Sequence, residues 1–199
     1  MKFRKRHYRA QVDTRDCGVA ALAMVLGYYG SYVSLATLRE KAKTTNDGTT
    51  ALGLVKVAEE LGFETRALKA DMTLFGMEEV SYPFIAHVLK DGKLLHYYVV
   101  IGYDKHSIHV ADPDPQVKMT KIPRERFAQE WTGITIFLAP SPAYKPSQEK
   151  KNGLLDFIPL LTKQKGLITN IVLATLLVTV INIVGSYYLQ SIIDTYVPD

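Results

Sequence analysis

The chain has 199 residues, 47% of them hydrophobic and 22% charged, with a formal net charge of +4. That length holds one medium domain and an appendage, and the composition is that of a folded protein. The single cysteine excludes an internal disulfide and a Cys-rich zinc site, and fits a reducing compartment. The basic N-terminus, Met1 to Arg9, is not followed by an apolar core, so it does not read as a secretory signal.

In chain order, the first strong signal is Gln11 to Gly30. Asp13 and Asp16 are spaced as a capping box, and no charged side chain occurs from Cys17 to Ser34. Val19, Leu22, Ala23 and Leu26 follow helical spacing, and apolar residues fill the other faces, which predicts a buried helix. Gly27 or Gly30 supplies its stop. Cys17 then lies in the first turn, where free backbone N–H groups and the positive end of the helix favour a thiolate. The plainer reading is a small buried core residue; the helix-start position and the polar Gln11 upstream weigh against it.

Ser34–Lys43 reads as a short amphipathic helix capped by Ser34. Asn46-Asp47-Gly48 marks a turn, and Thr50–Leu61 a third helix stopped by Gly62. Strands are predicted at Phe63–Lys69, Tyr82–Leu89, Leu94–Gly102, Ser107–Ala111, Val117–Lys121 and Ile134–Ala139, with a short helix at Arg124–Glu130. Lys90 to Lys93 forms a hairpin turn and Asp112 to Pro115 a turn-rich loop. Helices first and hairpin-linked strands afterwards predict an α+β domain, helices packed on an antiparallel sheet.

Residues 140–153, rich in proline and charge, read as a linker, and Leu154–Leu161 as a short piece at a membrane surface. Gly166–Leu189 carries no charge and is long enough to cross a bilayer; Tyr187 and Tyr188 stand where an interfacial belt belongs. Basic residues cluster at 2–9 and 145–165. Such clusters fit nucleic acid or the cytoplasmic flank of a span, and the apolar run favours the membrane over nucleic acid. The positive-inside rule places residues 1–165 in the cytoplasm and the end of the chain outside. Asn170 and Asn182 are polar enough to face other helices, so the span reads as one of a bundle. The predicted organisation is a domain at 1–139, a linker and interfacial segment at 140–165, a span at 166–189 and an outer loop beginning at 190–199, the whole reading as the first part of a larger membrane protein.

A cysteine nucleophile needs a histidine and a third group to orient it. His96 opens a strand after a hairpin turn, and Asp112 closes another. If those strands are antiparallel neighbours, the two meet at one sheet edge, where the start of the Cys17 helix can face them. His87 and His109 are mid-strand rivals, and Asp114 competes with Asp112. No spacing matches a metal-ligand pattern.

The run Gln11, Asp16-Cys17-Gly18, Tyr29-Gly30, with Leu95-His96-Tyr97-Tyr98-Val99-Val100, Ala111-Asp112-Pro113 and Trp131 to Ile134, resembles the papain-like cysteine peptidase domain of peptidase-containing ABC exporters, the bacteriocin and competence-peptide transporters of Gram-positive bacteria. The resemblance implies a papain-like fold, with Cys17 as nucleophile, His96 as general base and acid, Asp112 orienting His96, and Gln11 donating to the oxyanion. It implies a precursor peptide cut after a Gly-Gly pair, its leader docking as an amphipathic helix, and a partner in the rest of a homodimeric exporter. No phosphate loop occurs in this sequence. ATP is thus expected only in an ATPase domain outside this chain, and the peptidase itself needs no cofactor. The rival expectation is a domain that docks the leader without cutting it.

Overall fold

In a computed structural model, which describes residues 2–77, 79–149 and 163–196, the uncharged run forms helix α1 (Cys17–Tyr28). Every residue of α1 except Gly27 is buried. A helix with no polar face is stable only when enclosed. Helices α2 (Leu35–Ala42) and α3 (Ala51–Glu60) cover it on one side and a sheet on the other. Ser34 caps α2 by accepting from the Thr37 N–H, and Thr50 does the same for α3 through Gly53. Of the two candidate stops for α1, Gly30 takes the left-handed conformation, with φ 88°; Gly62, after α3, has φ 87°.

The Asp13–Asp16 box exists, but it closes a 3-10 turn, Thr14–Asp16, that leads into α1. Asp16 stands at the N-cap of α1 without capping it. Its buried carboxylate turns backwards to accept from the Val12 and Asp13 N–H groups and pairs with Arg39 of α2. A full ion pair outcompetes the cap.

Six strands follow: β1 (Phe63–Lys69), β2 (Phe84–Lys90), β3 (Leu94–Tyr103), β4 (Ser107–Ala111), β5 (Met119–Pro123) and β6 (Trp131–Pro140), with α4 (Arg124–Glu130) before the last. They form one antiparallel sheet in the order β1-β6-β2-β3-β4-β5. The α+β architecture is the predicted one. β6 starts earlier than predicted because Trp131 pairs opposite Val88 and its ring packs on Phe75 and Phe127. Phe75 belongs to a 3-10 turn, Met72–Gly76, for which the sequence has no periodic signal. This turn and α4 cover the sheet face opposite the three helices, over Phe84, Val88, Tyr98 and Val110.

The described residues fall into two units, the first ending at Glu149. Residues 141–149, expected to be a linker with little to bury, belong to it. The Tyr144 ring stacks edge-on to Phe63, its hydroxyl donates to the Tyr29 carbonyl, and the Tyr32 N–H donates to the Ser147 carbonyl. The interfacial segment predicted at 154–161 lies outside the described residues. The second unit contains α5 (Lys165–Tyr196), long and apolar enough to cross a membrane, with Leu173, Leu177, Ile181 and Val184 exposed. It runs past Leu189, where the span was expected to end, because no helix breaker occurs before Pro198.

Candidate active site

Residues far apart in the chain meet where β3 begins and β4 ends. β3 and β4 are antiparallel, with Val99 opposite Ala111, so His96 and Asp112 come to the same sheet edge. His96 Nε2 and Asp112 Oδ1 are 2.6 Å apart, with His96 2% and Asp112 1% exposed. The loop after Asp112 wraps back on the carboxylate, and the Asp114 N–H donates to Oδ1 at 2.9 Å. Lys90, the last residue of β2, donates from Nζ to Oδ2 at 2.9 Å. Both oxygens of the buried carboxylate are thus satisfied, as a buried charge requires.

The start of α1 brings Cys17, 4% exposed, to this pair. Asp112 occupies Nε2, which leaves Nδ1 for the thiol. The neighbourhood fixes the charge state of the ring. Burial pulls the His96 proton affinity down, but the Asp112 hydrogen bond, a hydrogen bond with Cys17 and the charges of both outweigh it, pushing the ring up to about 9. Burial likewise works against the Asp112 anion, yet the His96, Asp114 and Lys90 contacts hold its carboxyl below the usual range. The site therefore favours an imidazolium between a carboxylate and a sulfur, the arrangement that activates a thiol nucleophile.

Gln11 precedes the 3-10 turn before Cys17, and its backbone N–H donates to the Pro113 carbonyl at 2.9 Å. The Tyr8 hydroxyl donates to the Pro113 and Asp114 carbonyls. The N-terminal segment and the Asp112 loop are thus tied together on the site's flank. Gln11 Oε1 is buried with no hydrogen-bond partner among the described residues. The rivals lie elsewhere. His87 hydrogen-bonds Thr132 through Nδ1 at 2.9 Å, and burial, with the His96 charge, pushes it down. His109 pairs with Asp104 at 2.8 Å. Asp114 serves Asp112 through its backbone, and its carboxylate is 3.5 Å from Lys90.

Three partners carry no local signal in sequence: Lys90 on Asp112, Arg39 on Asp16, and Tyr97, whose hydroxyl donates to the Thr49 carbonyl at 3.0 Å. Tyr97 walls α1 at Gly18, where an added Cβ would stand 3.2 Å from both the Tyr97 ring and Thr49 Cβ.

The profile of the peptidase C39 family matches residues 5–143. The chain belongs to that family. It is 78% identical over all of its 199 residues to the transport/processing ATP-binding protein ComA of Streptococcus pneumoniae. It is 56% identical to the lactococcin-A transport/processing ATP-binding protein LcnC of Lactococcus lactis. In each case it spans 28% of the relative's length. Among solved structures it is similar to the peptidase domain of a Streptococcus ComA, a bi-functional ABC transporter involved in a quorum-sensing pathway. The match has a TM-score of 0.65 at 56% identity and covers 67% of this chain and 97% of that one. It is also similar to a double-glycine-motif protease from an AMS/PCAT transporter in complex with its leader peptide. There the TM-score is 0.60 at 31% identity, over 66% of this chain and 89% of that one. The papain-like α+β fold of the C39 peptidases is thus the fold of residues 5–143.

Proposed function

We propose that this C39 domain is a thiol endopeptidase that removes the leader of a secreted bacteriocin or competence-pheromone precursor after a Gly-Gly pair, as the N-terminal part of an ABC exporter. The observation that carries the reading is the buried His96–Asp112 pair set against the chain's one cysteine at the start of α1. In the proposed reaction Cys17 gives its proton to His96, and the thiolate attacks the carbonyl carbon of the second glycine. The Gln11 amide and the Cys17 N–H donate to the oxygen as it becomes negative. Collapse expels the cargo amine, which takes the proton from His96, and leaves a thioester. Water, deprotonated by His96, adds to the thioester, and the returning proton restores the thiol. Asp112 holds the imidazole through both halves.

The leader would seat its apolar face in a groove of about 740 Å³ lined by Leu68, Leu74, Met77, Val80 and Phe137, with Glu64, Arg66 and Glu79 at its rim. α5 is proposed to cross the cell membrane, with the basic residues before it placing the peptidase in the cytoplasm. The rest of the exporter, working as a homodimer, would supply ATP hydrolysis and the translocation path.

The test mixes the full chain in detergent micelles with a synthetic leader peptide carrying a Gly-Gly site, and locates any cut by mass spectrometry. A cut after Gly-Gly that Cys17→Ala abolishes is the expected result. Cleavage at an unchanged rate in Cys17→Ala overturns the assignment of Cys17. Saturable binding without cleavage by the unaltered chain favours a docking module instead.

A further inference from the structure

Lys90 lies outside the proposed Cys17–His96–Asp112–Gln11 set, yet it is built into it. Its ammonium sits at the end of β2, 2.9 Å from Asp112 Oδ2 and 3.5 Å from Asp114 Oδ2, and its side chain is only 15% exposed. A lysine seldom gives up hydration to this extent unless a specific anion holds it. The carboxylate it meets is divided between two tasks. Oδ1 takes the His96 ring and the Asp114 N–H; Oδ2 takes Lys90.

We infer that Lys90 is a positioning residue of the peptidase: its cation keeps the buried Asp112 ionised and rotated so that Oδ1 faces His96. The inference rests on the peptidase reading above. Charge arithmetic gives the reason. With thiol and imidazole neutral, Asp112 and Lys90 cancel. After the proton moves from Cys17 to His96, the thiolate, imidazolium, carboxylate and ammonium cancel again. Without Lys90 the buried cluster carries a net negative charge in both states, and the cheapest relief is a proton on Asp112, which removes its hold on His96.

Among the described residues, the other groups that face this cluster do not replace the cation. Tyr8 and Tyr98 face Asp112 as neutral hydroxyls, the second donating to Glu130, and Asp114 adds a further negative charge. His87, near His96, is pushed down by burial and by the His96 charge, both of which work against a second cation there.

The experiment compares Lys90→Met and Lys90→Arg with the unaltered full chain in micelles, with two readouts across pH. One is kcat and KM for a leader peptide with a Gly-Gly site. The other is the rate of alkylation by iodoacetamide, which reports on Cys17 because the chain has one cysteine. In Lys90→Met the uncompensated Asp112 takes up a proton and releases its hold on the imidazolium, so the alkaline limb of the kcat/KM profile moves to lower pH, while the acid limb and the alkylation profile, which need the thiolate, move to higher pH, each by about one unit. kcat falls about tenfold with KM little changed, and Lys90→Arg restores the profile. A merely structural lysine would lower amplitude without moving either limb, and that result overturns the inference, as does an unchanged Lys90→Met. If thermal melting shows Lys90→Met unfolded, Lys90→Gln, which keeps a hydrogen bond to Asp112 and lacks the charge, gives the same reading. Absence of cleavage by the unaltered chain defeats the peptidase reading alone, since the alkylation profile still reports whether Lys90 controls the cluster.

Discussion

At the scale of single residues, the site depends on which of two opposing effects governs His96. Burial alone would strip its proton at neutral pH; the Asp112 contact and the neighbouring sulfur win, and the ring is held up to about 9. The sign of the consequence follows. A ring raised above its ordinary 6.5 stabilises the fold fully below pH 6.5, and that contribution is lost as pH rises through about 9. In the proposed reaction His96 then keeps its proton for the leaving amine across the neutral range, and the alkaline limb of kcat/KM is expected near 9. Asp112→Asn removes the charge that holds the ring up and brings that limb down towards neutral. Steady-state cleavage across pH measures both; an unaltered chain whose limb already lies near neutral would contradict this account. Gln11 makes a separate prediction. Gln11→Ala is expected to lower kcat by about a hundredfold or more with KM nearly constant, because in the proposed reaction the Gln11 amide serves a charge present only in the tetrahedral state. An unchanged kcat removes it from that role. The meeting of Cys17, His96 and Asp112 was legible because each sits at a local landmark: a helix start, the exit of a hairpin turn, a strand stopped by proline. Lys90, Arg39 and Tyr97 were not, because their partners lie far away in sequence and an ordinary charged or aromatic residue announces no partner.

At the scale of elements, turn chemistry carried most of the information. The Asp91-Gly92 turn, both residues with positive φ, set the β2–β3 pairing, and the Asp112–Pro115 loop set the end of β4. What local pattern does not encode is competition. The capping box at Asp13–Asp16 is real, but Asp16 prefers the Arg39 guanidinium to the end of α1. The 3-10 turn at Met72–Gly76 exists because Phe75 is buried among Phe84, Phe127 and Trp131, a tertiary cause. The packing of α2 on α3 shows how close elements come. A Cβ added at Gly53 would stand 2.6 Å from the Ala42 carbonyl oxygen, and a backbone atom cannot swing aside as a side chain can. Gly53→Ala should therefore separate the two helices and destabilise the first unit by about 1–3 kcal/mol, read as a lower denaturant midpoint. It lies away from His96, so the pH profile of any remaining cleavage should stay in place.

At the scale of the whole molecule, the question is where the C39 unit ends. Composition placed its boundary at Ala139, because prolines and charges follow. The chain nevertheless returns. Tyr144 fills the space between Tyr29 and Phe63, Ser31 accepts from the Ser147 N–H, and the Tyr32 and Glu149 backbones bond. The Glu149 carboxylate then accepts from the Ser34 N–H, Ser34 Oγ and Thr37 Oγ1 at the start of α2, and these contacts hold its carboxyl below the usual range. An anion there meets the positive end of the helix. Proline-rich composition is a poor guide in such a strap, because its stability comes from a few anchoring side chains and not from periodicity. A soluble piece ending at Glu149 should consequently be more stable than one ending at Ala139, by roughly 3 kcal/mol from the lost hydrogen bonds and the exposed Tyr144 ring. Urea denaturation of the two pieces decides it: equal midpoints would make the strap a passive connection to α5. In the longer piece, Glu149→Gln should recover part of the difference in the direction of the shorter one. Because α2 also carries Arg39, the partner of Asp16 at the mouth of α1, loosening the strap is expected to reach the site through that helix and lower cleavage before it unfolds the domain.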